Sequence, residues 1–284
     1  MKADALVAAQ RGSVYEHTGP EYLFIDGRYL HNLIERTFEP LFHAVPQIDY
    51  VKPKLFASAG KVFYYDCLAD TKKSAESESD FNLRLAKQTD ELNAIRSLPG
   101  FHVRLGTLSG EGKKLRQKEV DVQLAVDMLT HAFAKNMARA TLIAGDLDFR
   151  PVVNSLIQLG TYVRLCYGKA HAAADELRWS ADESSELGID DLYPWTTEAF
   201  RCEHRLPVRI YKPKDEADAG MMARRFGKLE GRTAILYEHA ANQRSPFCIL
   251  IIDRLRSDPL WISHPDLAVL EKYVDMSEGA IRWD

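Results

Sequence analysis

Short apolar runs alternate along the chain with longer stretches of helical periodicity. Tyr22-Leu23-Phe24-Ile25 is compact and apolar and ends at Asp26-Gly27. Lys61-Val62-Phe63-Tyr64-Tyr65 ends at Asp66, and Thr141-Leu142-Ile143-Ala144 ends at Gly145-Asp146. Runs of this length with such boundaries read as buried parallel strands. Phe101 to Gly106 and Tyr162 to Tyr167 complete a set of five. Between them, Leu30, Leu33, Ile34, Phe38, Leu41 and Phe42 fall on one face of a helix from Tyr29 to Phe42. Further helices are expected over Phe81 to Leu98 (stopped by Pro99-Gly100), from about Glu119 to Ala134, and over Pro151 to Leu159 before Gly160. A short one is expected over His171 to Trp179. Five alternations predict right-handed βαβ units: an α/β fold with a parallel sheet flanked by helices, spanning residues 18–192.

Residues 193–284 carry a different pattern. Val208 to Tyr211, Thr233 to Tyr237 and Phe247 to Ile252 are strand-like; Met221 to Leu229 and Pro265 to Val274 are helix-like. Five prolines punctuate them, and a small C-terminal α+β appendage follows. Two polar segments read as loops: Thr71 to Asp80, and the basic stretch Gly110 to Lys118.

Composition narrows the function classes. The 284 residues are 46% hydrophobic and 27% charged, ordinary for a globular protein. The net charge of −4 means that any nucleic-acid contact must come from a local basic patch. Four scattered cysteines form no CxxC or Cys/His cluster, which argues against a structural zinc site. Cys67 and Cys166, in apolar runs, are expected as buried thiols. The first residues lack a signal-peptide core and no run of about 18 apolar residues occurs. The expected location is the cytoplasm, with no membrane contact.

The acids at strand ends carry the chemistry. In a doubly wound sheet the first strand is central and a crossover can set the fourth beside it. Asp26 and Asp146 would then share the carboxyl edge at the topological switch point, where such sheets bind ligands. Asp148 could reach the same cleft, or simply cap the next helix. Asp121 shares a helix face with Ala125, Met128, Leu129 and Ala132, so it should point inward; Asp127 lies well round from it. Each acid alone has an ordinary explanation as a turn former or cap. Together, carboxylates without matching cations repel one another unless a metal intervenes. Hard oxygen donors of this kind favour Mg²⁺ or Mn²⁺.

Three blocks in order are Tyr22 to Gly27, Gln117 to Asp127 and Ile143 to Val153. Over about residues 20–170 the sequence resembles the NYN domain of the PIN-like nuclease superfamily, and most of all its bacterial LabA-like branch. The resemblance implies a PIN-like fold and metal-dependent endoribonuclease chemistry. Asp26, Asp121 and Asp146 fall on its catalytic and metal-holding positions, with Asp148 catalytic as well and Asp127 in support. The family's usual Asn in the first block is Tyr29 here, and its usual Gly in the middle block is Glu119. Lys118, with Arg116 and Lys114, is expected to contact an RNA backbone. Tyr29 is a candidate for stacking on a base.

A second reading keeps the fold without turnover: an RNA-binding or regulatory module working through residues 193–284, by self-association or a protein partner. Two enzyme classes fit poorly. A HAD-type phosphatase wants a second Asp two residues after the first, where Arg28 stands. A Rossmann dehydrogenase wants several closely spaced glycines after strand one, and Asp26-Gly27-Arg28-Tyr29 supplies one.

Overall fold

A computed structural model describes residues 19–284 except 69–71, 73–74, 107–112, 213–219 and 240–245; for 113–118 it describes the backbone alone. The chain forms two compact units. One takes residues up to Leu30, Pro53–Tyr167 and Ala173–Ser185; the other takes His31–Lys52, Gly168–Ala172 and Glu186–Asp284.

The first unit is built on a parallel sheet. Its strands are β1 (Glu21–Asp26), β2 (Lys61–Asp66), β3 (Phe101–Leu105), β4 (Arg139–Ile143), β5 (Tyr162–Gly168) and β6 (Glu183–Leu187). The order β3-β2-β1-β4-β5-β6 puts β1 at the centre with β4 beside it. The register aligns Ile25 with Ile143 on one side and Asp26 with Tyr65 on the other. Leu23, Phe24, Ile25, Leu142 and Ile143 are fully buried, as strands covered on both faces require. The expected five strands are all present. The sixth, β6, was not legible because Glu183-Ser184-Ser185-Glu186-Leu187 carries only one large apolar residue.

The helices are α1 (Gly27–Phe42), α2 (Val51–Phe56), α3 (Glu78–Ser97), α4 (Lys113–Phe133), α5 (Arg150–Gln158) and α6 (Asp175–Arg178). Three expectations need correction. Lys113 to Lys118, read as loop, is the start of α4; its Lys, Leu, Arg and Gln residues are all good helix formers. The end of the polar stretch Thr71 to Asp80 also joins a helix, because the Ser77 side chain accepts the Asp80 N–H at 3.1 Å and starts α3. The helix expected over His171 to Trp179 is confined to Asp175–Arg178.

The second unit holds most of α1, with Leu33, Ile34 and Phe38 buried, together with α7 (Ile189–Leu192) and α8 (Glu198–Glu203). Phe38 meets Phe200 edge-on at 5.8 Å. A separate antiparallel sheet follows in the order β12-β8-β9-β10-β11-β7. Its strands are β7 (Val208–Tyr211), β8 (Met221–Leu229), β9 (Arg232–His239), β10 (Phe247–Ile252), β11 (Leu260–His264) and β12 (Arg282–Trp283), with α9 (Leu267–Ser277). The helix expected over Met221 to Leu229 is thus a strand. The deciding signal is Glu230-Gly231, both at positive φ (47° and 82°), the paired left-handed conformation of a tight hairpin turn.

All four cysteines are free thiols; Cys166 is buried, but Cys67, just past the end of β2, is only half-buried. No helix among the described residues is long and apolar enough to cross a membrane.

Candidate active site

The carboxyl ends of β1, β2 and β4 gather acids on one edge of the first unit. β1 ends at Asp26, and Gly27 opens α1 at once. Only glycine fits there: a Cβ would sit 2.6 Å from the Tyr64 ring and 2.7 Å from the Tyr65 carbonyl. Asp26 Oδ1 accepts the Tyr29 N–H at 3.0 Å and so caps α1. Beyond β4, Gly145 gives a second close approach, since a Cβ would lie 2.3 Å from Tyr29 Cε2. The Tyr29 ring, 5% exposed, therefore packs between the two turns. It is not free to stack on a base.

Asp146 follows Gly145 on the exposed rim. Its Oδ1 accepts the Asp148 N–H at 2.9 Å and caps the short turn Leu147–Phe149. The capping acid is Asp146, not Asp148 as the sequence suggested. Asp121 lies in the third turn of α4. The buried stripe there is Val120, Leu124, Met128 and Ala132, and Asp121 borders it, half-buried. Asp66 ends β2, 8% exposed, with Oδ1 accepting the Cys67 N–H at 2.7 Å.

These charges act on one another. Burial, and then the charges of Asp66 and Asp146, push the Asp26 carboxyl up to about 6, against the pull of the Tyr29 and Arg28 amides. Burial, followed by the charges of Asp26, Asp146 and Asp148, pushes Asp121 up to about 7; Arg28 is the cation that opposes this. Five carboxylates thus share one edge, and among the described residues Arg28 is the cation that acts on Asp121. The donor set is all hard oxygen, which suits a divalent cation. Among the described residues, however, no three His, Cys, Asp or Glu groups converge as they stand on a point that could hold an ion. Asp26 and Asp146 each turn one oxygen back to a main-chain N–H.

Asp66 is the member that sequence reasoning missed as part of the site. Its signal was present, since β2 ends in an acid just as β1 does. Asp127 belongs elsewhere: Tyr65 Oη donates to its Oδ2 at 2.9 Å and Arg104 Nε pairs with it at 3.2 Å, so it is a structural anion and not a support of the cluster. Lys114, Arg116 and Lys118 lie in the first turns of α4, and their side chains fall outside the described residues.

Residues 53–188 match the family model of the NYN domain. This stretch, just under half of the chain, is similar to an NYN domain. The match takes in Asp66, Asp121, Asp146 and Asp148 and starts after β1, so Asp26 joins the site through the sheet register and not through the family match. The match is to the NYN domain as a whole and does not single out the LabA-like branch. An NYN domain is a PIN-like nuclease fold, and nuclease is the coarse class it brings. No curated protein matches the chain. Among solved structures, a protein of unknown function from Vibrio parahaemolyticus is similar, with 16% identity over 63% of this chain and 98% of its own and a TM-score of 0.46. A candidate oxidoreductase from Parabacteroides merdae is 10% identical over 91% of this chain and 80% of its own, with a TM-score of 0.26. At these scores neither bears on function.

Proposed function

We propose that the protein is a metal-dependent endoribonuclease that hydrolyses phosphodiester bonds at the edge formed by Asp26, Asp121 and Asp146. The carrying observation is the raised pKa of Asp26 and Asp121, two carboxyls held in a field of further acids with Arg28 as the opposing cation. A cluster of carboxyls with shifted titration, at the carboxyl edge of a parallel sheet, suits a divalent cation. Asp26, Asp121 and Asp146 would hold Mg²⁺ or Mn²⁺, with Asp66 and Asp148 adding negative charge around it. When bound, the ion supplies a lowered pKa for water and polarisation of the phosphate.

The protein's own groups supply the rest. Asp148, exposed on the rim, would take a proton from an attacking water. Arg28, exposed beside Asp26, offers a donor fork to a phosphate oxygen. Lys118, Arg116 and Lys114 would hold the RNA backbone at the start of α4. The compartment we assign is the cytoplasm, where cysteines that form no disulfide are ordinary. The test is cleavage of mixed RNA and single-stranded DNA with Mn²⁺. RNA should be cut internally and EDTA should stop it; intact RNA at every Mn²⁺ concentration would contradict the proposal.

A second reading has its own support. Asp26 and Asp146 each spend an oxygen on capping, which fits a domain that keeps the fold and binds RNA without turnover. Residues 193–284 would then do the regulatory work, through a protein partner or self-association. RNA binding with no Mn²⁺ effect on either binding or cleavage would favour it.

A further inference from the structure

The opposite edge of the same sheet, where β1 and β4 begin, opens into a cleft of about 580 Å³. Two arginines line it, Arg139 at the start of β4 and Arg164 within β5, beside Glu21, Phe56 and Ser58. Both side chains are largely buried, at 19% and 17% exposure. Each guanidinium lies over an aromatic ring, Arg139 over Tyr162 at 4.5 Å and Arg164 over Phe56 at 4.7 Å. Each is tethered through Nε. Arg164 Nε donates to Ser185 Oγ at 3.3 Å and lies 3.2 Å from Glu183 Oε1. The buried Arg139 Nε lies 3.3 Å from Glu21 Oε2 without the alignment of a hydrogen bond.

Arginines paired with carboxylates are often purely structural, and two features separate this pair from that pattern. First, the rings and Nε tethers fix both guanidinium planes, while among the described residues neither arginine donates a hydrogen bond through its Nη groups. Among the described residues the buried donor without an acceptor on this pair is Arg139 Nε, so the Nη groups stay open to the cleft. Second, Ser58 at the cleft is exposed and held at φ 52°, a conformation uncommon for serine, and its hydroxyl makes no hydrogen bond among the described residues. The Glu21 carboxylate is meanwhile occupied by the Thr141 hydroxyl at 2.7 Å and by Arg139.

We infer that this cleft binds a small phosphate monoester through Arg139, Arg164 and Ser58. Two fixed guanidinium groups and a hydroxyl suit the three terminal oxygens of a phosphate, which accepts several charge-assisted bonds at once. The volume exceeds that of the phosphate group and leaves space for the alcohol part of the ester. The site lies at the far end of β1 and β4 from the acids and does not depend on their chemistry.

The experiment is a titration of the full chain with inorganic phosphate and with adenosine monophosphate at constant ionic strength, following the thermal midpoint. Both should raise it saturably, whereas adenosine and matched potassium chloride should not. Arg164→Gln should weaken the response about tenfold or more, as expected for loss of a bond to a charged group. Ser58→Ala, at an exposed position, should fold normally and weaken it about threefold. Asp146→Asn should leave the response unchanged, which separates this site from the acidic edge. No saturable response in the wild type, or equal responses from wild type and Ser58→Ala, would overturn the inference even if Arg164→Gln failed to fold.

Discussion

Tyr29 shows how much of the candidate site rests on single residues. Its N–H orients Asp26 and its ring fills the space against Gly145. A methyl group at Gly145 has no room beside that ring, so Gly145→Ala should cost about 1–3 kcal/mol by overpacking and should lower cleavage by shifting Asp146. Chemical denaturation and a cleavage rate check both parts. Asp127 makes the contrast. Asp127→Ala removes the acceptor of the buried Tyr65 hydroxyl and should destabilise by about 1–3 kcal/mol, while cleavage per folded molecule stays near wild type.

The raised carboxyls give a pH signature with a definite sign. Asp26 and Asp121 move from 3.8 up to about 6 and about 7 in the folded protein. Between those values the folded state binds more protons than the unfolded chain, so stability falls as pH rises. The contribution is complete below about pH 4 and is lost through pH 6 to 7. Urea midpoints of the metal-free protein should therefore decline from pH 5 to 8, less steeply in Asp121→Asn. Added Mn²⁺ should recover most of the loss, because it binds the deprotonated carboxylates. A midpoint that rises over this range in wild type and is unaffected by Asp121→Asn would contradict the assignment.

At the scale of elements, the parallel strands were legible because burial on both faces leaves unbroken apolar runs. Three of the five runs end in an acid, at Asp26, Asp66 and Asp146, and needed no further information to be found. The placing of β4 beside a central β1 was expected of a doubly wound sheet, and it brings the strand ends with Asp26 and Asp146 to one edge. Elements stabilised by tertiary contacts or turn geometry left weaker marks. β6 has one large apolar residue, and β8 reads as a helix until the positive φ of Glu230 and Gly231 is known. Gly231→Ala should cost about 1 kcal/mol there, because alanine resists φ 82°. A thermal melt that does not shift would remove the turn as the cause. The start of α4 was hidden for another reason: a run of lysines looks like a solvated loop, although lysine favours helix.

At the scale of the molecule, the candidate site lies within one unit, so the acids need nothing from the other to come together. Sequence supplied Asp26, Asp121, Asp146 and Asp148 because strand ends and helix faces are local patterns. It left out Asp66, whose part depends on β2 lying directly beside β1, and it included Asp127, whose partners Tyr65 and Arg104 come from two other strands. The capping exchange between Asp146 and Asp148 is a side-chain hydrogen bond that no spacing specifies.

The central claim is that Asp146 takes part in metal-supported cleavage and not merely in capping a turn. Asparagine keeps the capping oxygen and removes the charge. The decisive measurement is the Mn²⁺-dependent cleavage rate of Asp146→Asn beside wild type, with RNA affinity measured on the same preparations. The account predicts a loss of about 100-fold or more in rate with RNA binding retained. Wild-type cleavage by Asp146→Asn would contradict it.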